Sequence, residues 1–311
     1  MAADSVIFDR IALIGVGLIG GSIGLAARRA NCVGTIVATA RSAETRQAAI
    51  ELGLADQVAE TAAAAVQDAD CVILCSPVGA FGDIGAEIAA HLKPGAIITD
   101  VGSVKGAVVE ALSPVLPANV HLIPGHPIAG TEKSGPTAGF ASLFDQRWCI
   151  LTPPECADGH KLAQLDAFWT ALGAEVDVMT PAHHDLVLAI TSHVPHLIAY
   201  NIVGTADDLE EVTQGEVIKY SAGGFRDFTR IAASDPTMWR DIFLANKDAV
   251  LEMLGRFSED LSSLQRAIRW GDGDALFDLF SRTRAIRQQI IDAGQETADP
   301  DFGRHNDDDD G

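Results

Sequence analysis

A chain of 311 residues with 48% hydrophobic content is long enough for two domains of ordinary size, each with its own core. The formal net charge of -21 gives a solvated, self-repelling surface, which argues against nucleic acid or an anionic membrane face as partner. Five scattered cysteines, with no matched CxxC pairs, indicate neither a disulfide framework nor a zinc site, so no metal is expected. The chain shows no basic segment leading into an apolar stretch and no apolar run of 18 residues is read in it, so the expected location is the cytoplasm.

From Ile11 to Met179, short Val/Ile/Ala runs alternate with helix-length segments, the alternation that a parallel sheet with crossover helices requires. Strands are predicted near Ile11 to Ile14, Gly34 to Thr39, Cys71 to Cys75, Ala96 to Thr99, His121 to Ile123, Trp148 to Leu151 and Val176 to Met179, all within one doubly wound domain. Cys71 and Cys75 fall in an apolar run and read as core thiols. The pattern changes at Thr180–Pro181, a capping hydroxyl followed by Pro at the first helical position, and Ser234, Asp235 and Pro236 give a second start of this kind. Val250, Leu254, Phe257, Leu261, Leu264 and Ile268 then recur at alternating spacings of four and three, a seam of coiled-coil type. Helices so apolar call for a second copy of the chain to cover them, so a homodimer through the C-terminal helices is expected. Asp299, Asp301 and Asp307 to Asp310 close the chain with only Arg304 against them, a composition expected to be disordered.

Gly15, Gly17 and Gly20 form GxGxxG directly after the first strand and before an Ala-rich helix, the context in which the motif has meaning. Its glycines permit a tight turn and a close approach of backbone to a pyrophosphate. The helix start at Leu18, Ile19 and Gly20 supplies N–H donors and the positive end of a dipole. Ser76 and Pro77, after the third long strand, are expected to border the same crevice. A dinucleotide is therefore expected. The second strand runs into Thr39, Ala40, Arg41 and Ser42, with Arg46 a turn later, and carries no acid for a ribose 2′-hydroxyl. Arg41, Ser42 and Arg46 could instead hold a 2′-phosphate, which favours NADP over NAD. The expected plan is a Rossmann-like doubly wound domain over 1–179, a helical substrate and dimerisation domain over 180–295, and the acidic tail over 296–311.

Three further segments crowd polar groups among glycines where such a fold presents ligands: Asp100 to Gly106 (DVGSVKG), Gly125 to Pro136 (GHPIAGTEKSGP), and, in the helical part, Thr191 to Leu197 (TSHVPHL) with Gly223 to Asp241. Together they resemble the prephenate, arogenate and cyclohexadienyl dehydrogenase family of tyrosine biosynthesis, over Ile11 to Ile291. The resemblance implies oxidative decarboxylation of prephenate, arogenate or both, with hydride passing to NAD(P) and no metal. It implies that His126 is the catalytic histidine at the ring 4-hydroxyl, with Ser103 beside that hydroxyl. Imidazole suits the task because it titrates near neutrality. It further implies that Arg230 binds a substrate carboxylate, for which a guanidinium fork is suited. His196, Ser192, His193, Thr131 and Asp227 are implied to bind the rest of the substrate, with Glu132 near the mouth and Trp239 contributed around the pocket, from the same chain or its partner.

His183 and His184 are adjacent on a helix and do not face one another, so they are set aside as a metal pair. Two other readings compete. A β-hydroxyacid dehydrogenase or imine reductase has the same two-domain plan and would rely on Lys219 or Lys247. A non-catalytic cofactor sensor would have no use for His126.

Overall fold

The computed structural model describes residues 6–131, 133–208 and 219–292; Glu132 and the acidic tail over 296–311 lie outside them. The chain divides into two compact units, Met1–Leu251 and Glu252–Gly311.

The first unit is built on a six-stranded parallel sheet, ordered β3-β2-β1-β4-β5-β6. Its strands are β1 (Phe8–Ile14), β2 (Val33–Thr39), β3 (Gln57–Val58), β4 (Cys71–Leu74), β5 (Ile97–Asp100) and β6 (His121–Leu122). The central strands each bury a run of four consecutive residues, 11–14, 71–74 and 97–100, because both faces are covered. Successive side chains leave a strand on opposite sides, so Ile11 and Leu13 enter one core with Ile23, Phe144 and Trp169, while Ala12 and Ile14 enter another with Val72, Phe81 and Leu112. The crossover helices are α1 (Leu18–Ala30), α2 (Ala43–Glu51), α3 (Ala62–Ala65), α4 (Phe81–Ile88) and α5 (Lys105–Leu112). Chain order reverses between β1 and β4, which opens a crevice beyond their carboxyl ends.

All seven predicted strands are present, but they do not form one sheet. β7 (Gly125–Pro127), β8 (Trp148–Leu151) and β9 (Glu175–Val178) make a second sheet in which β7 and β8 are antiparallel. β7 is an addition to the predicted set, and it carries His126 on a strand paired with Ile150 rather than in a loop.

The helical part begins as expected. Thr180 Oγ1 accepts from the His183 N–H at the start of α7 (Pro181–Leu188), which follows α6 (Gly159–Ala171) in the chain. A π turn, Ala189–His193, joins α7 to α8 (Val194–Asp208). Pro195 has no N–H for the Thr191 carbonyl, and the wide turn just before it absorbs that break. The run Pro181–Asp208 is 28 residues long and apolar enough, by length and composition, to cross a membrane, which corrects the expectation that no such run occurs. Its buried stripe is nonetheless polar in part, with His184, Asp185 and His193 lying beside Leu188 and Ala189. The helix Pro236–Ala245 is capped by Asp235, whose carboxylate accepts from the Thr237 and Met238 N–H groups.

The second unit holds the end of the helix Lys247–Trp270 and all of the helix Gly273–Asp292. Along the predicted seam Val250 is buried, while Leu261 and Ile268 are exposed, as are Trp270, Phe277, Phe280, Ile286, Ile290 and Ile291.

In the first unit a fully buried ion pair ties the main sheet to the second. Lys105 Nζ donates to Asp100 Oδ2 and to the Gly125 carbonyl, and Asp100 also accepts from the Gly102 N–H (2.7 Å) and the Gly125 N–H (3.1 Å). Burial pushes the carboxyl up and the ammonium down, and each is opposed by its partner. Removing one member leaves the other charge buried alone. Lys105→Met is therefore expected to destabilise the fold by roughly 3 to 5 kcal/mol. Urea unfolding followed by circular dichroism measures this, and an unchanged midpoint contradicts it.

Candidate active site

The Gly-rich turn sits where β1 ends and α1 begins. Gly15 has φ +109°, a conformation that L side chains rarely adopt, and a Cβ there would press on the Cys75 backbone at 2.9 Å. A Cβ at Gly20 would collide with the Gly15 carbonyl, so helix and turn pack this closely only without side chains. At Gly17 a Cβ would meet nothing within 4 Å, which leaves open space against the first-turn N–H groups of α1. Leu18 and Ile19 turn their side chains toward the core and leave those N–H groups to the turn. Ser76 Oγ reaches the Ile14 carbonyl at 3.4 Å, and Pro77 precedes a short turn beside it. These residues fit a dinucleotide pyrophosphate.

At the end of β2, Ser42 caps α2 by accepting from the Thr45 N–H at 3.0 Å. Arg46 donates to the carbonyls of Ala40 (2.7 Å) and Arg41 (3.1 Å), so it stiffens the turn after β2, while Arg41 is exposed. The structure thus gives Ser42 and Arg46 local work in the turn after β2.

His126 is the centre of the second cluster. Its Nδ1 lies 2.8 Å from His184 Nε2, and His184 Nδ1 lies 2.8 Å from Asp185 Oδ1. Asp185 also accepts from the backbone N–H groups of Lys105 (2.7 Å) and Gly106 (2.8 Å), capping α5 from across the chain. A Cβ at residue 106 would stand 2.9 Å from that carboxylate, which explains the glycine. Ser103 is half-buried beside this cap and does not provide it, because the N-cap position of α5 is Val104.

Desolvation is the first cause that lowers the His126 pKa well below 6.5, reinforced by His184, Lys105 and His193. His126 is therefore neutral at pH 7 and able to accept a proton. His193 is also desolvated, and its pKa is lowered to about 4. His196 donates from Nδ1 to the Ser192 carbonyl at 2.8 Å and stacks on Trp239 with ring centroids 3.7 Å apart. Tyr200 donates to the Ser234 carbonyl at 2.7 Å, fastening the turn that leads into the Trp239 helix. Trp239 is buried in the same protomer as His196, so the stacked ring comes from this chain.

Arg230 is exposed at the start of the turn Arg230–Ala233, close enough for its charge to help depress the His196 pKa after desolvation. Asp227 is exposed on the helix Gly223–Thr229. Thr131 is half-buried and its Oγ1 accepts from the Lys133 N–H at 3.2 Å. The structure thus brings His126, His193, His196, Ser192 and Trp239 into one neighbourhood. It adds His184, Asp185, Lys105, Asp100 and Asn246, which sequence reasoning passed over. Lys219 and Lys247, on which the rival dehydrogenase reading depends, are both exposed.

A parallel sheet in this order, with a Gly-rich turn at its reversal point and a buried neutral imidazole past its last strand, defines a dinucleotide-dependent dehydrogenase. Residues 23–178 match the family model for the prephenate dehydrogenase nucleotide-binding domain, and residues 180–282 match that for the prephenate dehydrogenase dimerization domain. The chain is 42% identical to the cyclohexadienyl dehydrogenase of Zymomonas mobilis over 282 residues, 90% of this chain and 96% of the relative. It is similar to the crystal structure of prephenate dehydrogenase from A. aeolicus in complex with hydroxyphenyl propionate and NAD+, with TM-score 0.85 and 35% identity over 91% of this chain and 98% of that one. It is also similar to Synechocystis arogenate dehydrogenase, with TM-score 0.77 and 29% identity over 90% of this chain and 99% of that one. The chain belongs to the prephenate dehydrogenase family.

His126, His184, His193 and His196 are all held below 6.5 by desolvation. For such groups the unfolded chain binds protons first, so their contribution to stability is complete above pH 6.5 and is lost as pH falls below it. His193 keeps contributing to that loss down to about pH 4. His126, His184 and His193 each cost about 1.4 kcal/mol per pH unit over that window, and the more exposed His196 costs less. Thermal melts at pH 7.5, 6.5 and 5.5 should show a larger fall in Tm over the second interval than over the first, and equal falls would contradict this.

Proposed function

We propose that this chain oxidatively decarboxylates prephenate, arogenate or both, giving 4-hydroxyphenylpyruvate or tyrosine, as a cytoplasmic homodimer in tyrosine biosynthesis. The observation that carries the reading is the buried neutral His126, held by a carboxylate-anchored histidine within a family of such dehydrogenases.

A bound nicotinamide would accept hydride from the ring carbon that bears the hydroxyl. His126 Nε2 takes the hydroxyl proton, so that the oxygen becomes a carbonyl as hydride leaves. Loss of carbon dioxide from the opposite ring carbon returns an electron pair to the ring. The oxygen becomes a phenolate, and the proton held on His126 completes the phenol. No net proton is lost, and the base ends neutral. Ser103 orients the hydroxyl, Arg230 pairs with a carboxylate, and His193, His196 and Ser192 line the remainder of the pocket, with Thr131, Glu132 and Asp227 at its mouth and Trp239 backing His196.

The turn after β2 supports NADP over NAD, because it offers Arg41, Ser42 and Arg46 and no strand-end acid. Apolar side chains exposed along the last two helices support the homodimer, since Trp270, Phe277 and Phe280 are large groups that a symmetric partner would cover. On this reading the working division is a dinucleotide domain over 1–179 and a substrate and dimerisation domain over 180–295.

The purified protein, mixed with prephenate or arogenate and with NAD or NADP in all four pairings, should reduce cofactor in at least one. His126→Ala should lower kcat by about a hundredfold or more with substrate binding little changed. Arg230→Ala should mainly raise KM. Wild-type turnover in the first variant, or unchanged KM in the second, would remove that residue from its role.

A further inference from the structure

We infer that Asp185 holds two histidines of the site in opposite tautomers, through His184 for His126 and through Asn246 for His193, so that one ring offers a proton acceptor and the other a proton donor.

The first branch starts at the Asp185 side chain. Two backbone N–H groups at the start of α5 already donate to this carboxylate, which leaves it as an acceptor toward His184. His184 Nδ1 must therefore carry the proton in the 2.8 Å contact with Asp185 Oδ1. A neutral His184 then has a lone pair at Nε2, and His126 can approach it to 2.8 Å only as a donor from Nδ1. The proton of neutral His126 is fixed on Nδ1, and its Nε2 is left as the base.

The second branch starts at the Asp185 main chain. Asn246 Nδ2 lies 2.8 Å from the Asp185 carbonyl, so its amide nitrogen and not its oxygen faces that way. The second hydrogen of the same amide group is directed to His193 Nδ1, 3.1 Å away. His193 Nδ1 is therefore an acceptor, and its proton resides on Nε2. That Nε2 is buried and has no hydrogen-bond partner among the described residues. A buried, unpartnered N–H is costly, which marks it as a donor kept for a ligand atom or a water. Both rings belong to the same chain of contacts, His126 to His184 to Asp185 and His193 to Asn246 to Asp185, and charge on His193 is felt at His126. A free lone pair on one ring and an unpartnered N–H on the other suit a ligand with one group that gives up a proton and one that accepts a hydrogen bond, such as a carbonyl or carboxylate oxygen. His184 and Asn246 are positioning residues: neither needs to touch the substrate.

The tautomers can be tested without the dehydrogenase reading; only the kinetic consequence rests on it. Two-bond 1H–15N correlation spectra of 15N-histidine-labelled protein at pH 7, assigned with His126→Asn and His193→Asn, should show His126 protonated at Nδ1 and His193 at Nε2. In His184→Leu the His126 pattern alone should change, and in Asn246→Leu the His193 pattern alone. Both rings in one tautomer, or the reverse assignment, would overturn the inference, as would variants that leave both patterns as in the wild type. Should a variant fail to fold, the wild-type spectrum decides by itself. In the cofactor-reduction assay His184→Leu should lose roughly a hundredfold in kcat with cofactor Kd unchanged, as loss of a correctly set base implies. The expected tautomers with no turnover in any pairing would overturn the functional reading and leave the inference standing; turnover with the wrong tautomers would do the opposite.

Discussion

The buried pair of Asp100 and Lys105 is the constraint on which the site depends. Asp100 ends β5, and its carboxylate gathers the Gly102 N–H, the Gly125 N–H and the Lys105 ammonium; Lys105 in turn holds the Gly125 carbonyl. One carboxylate thereby fixes the loop that carries Ser103 and the strand that carries His126. A buried ion pair is weak evidence of stability, because desolvation offsets most of its attraction. Its effect here is positional: it sets where the second sheet starts relative to the first.

Asp185 extends the same logic into the helical part. It caps α5 from another helix, so the start of α5 is bound to α7, and the same side chain turns His184 toward His126. The π turn that follows gives the next residues a different pitch, so that His193 is buried while Ser192 and His196 are half-buried. The site is thus held by backbone N–H groups and by the buried carboxylates of Asp100 and Asp185, an arrangement that needs little reorganisation when charge moves.

Much of this plan was legible in the chain. The strands could be read because each is a Val/Ile run bounded by Gly, Pro or a helix-length segment, and Gly15, Gly17 and Gly20 because strand and helix flank them. The break into two sheets was not legible. Gly-His-Pro has no strand propensity of its own; β7 is held by its pairing with β8 and by Asp100 and Lys105, which bond the N–H and the carbonyl of Gly125. As neighbours on a helix His183 and His184 do not suggest a metal pair, and no motif draws Asp185 to His184. A signal was available: His184, Asp185, Leu188 and Ala189 fall on one helical stripe, so two polar groups occupy its apolar face, while His183 points away. Asn246, between two helices and in no motif, gave no such signal. The sequence shows only the charge of Arg46, whereas its guanidinium also bonds the carbonyls of its own turn.

The central claim is that the base is a neutral imidazole whose proton affinity is held down by burial. The most direct measurement is the pH dependence of kcat/KM with whichever of prephenate and arogenate is turned over, from pH 8 down to the limit of the stable fold. Because the neutral form is the active one, kcat/KM should stay level through neutrality and fall only as pH drops through an apparent pKa well below 6.5. An acidic limb at or above 6.5, or one that survives unchanged in the residual activity of His126→Asn, would contradict the account.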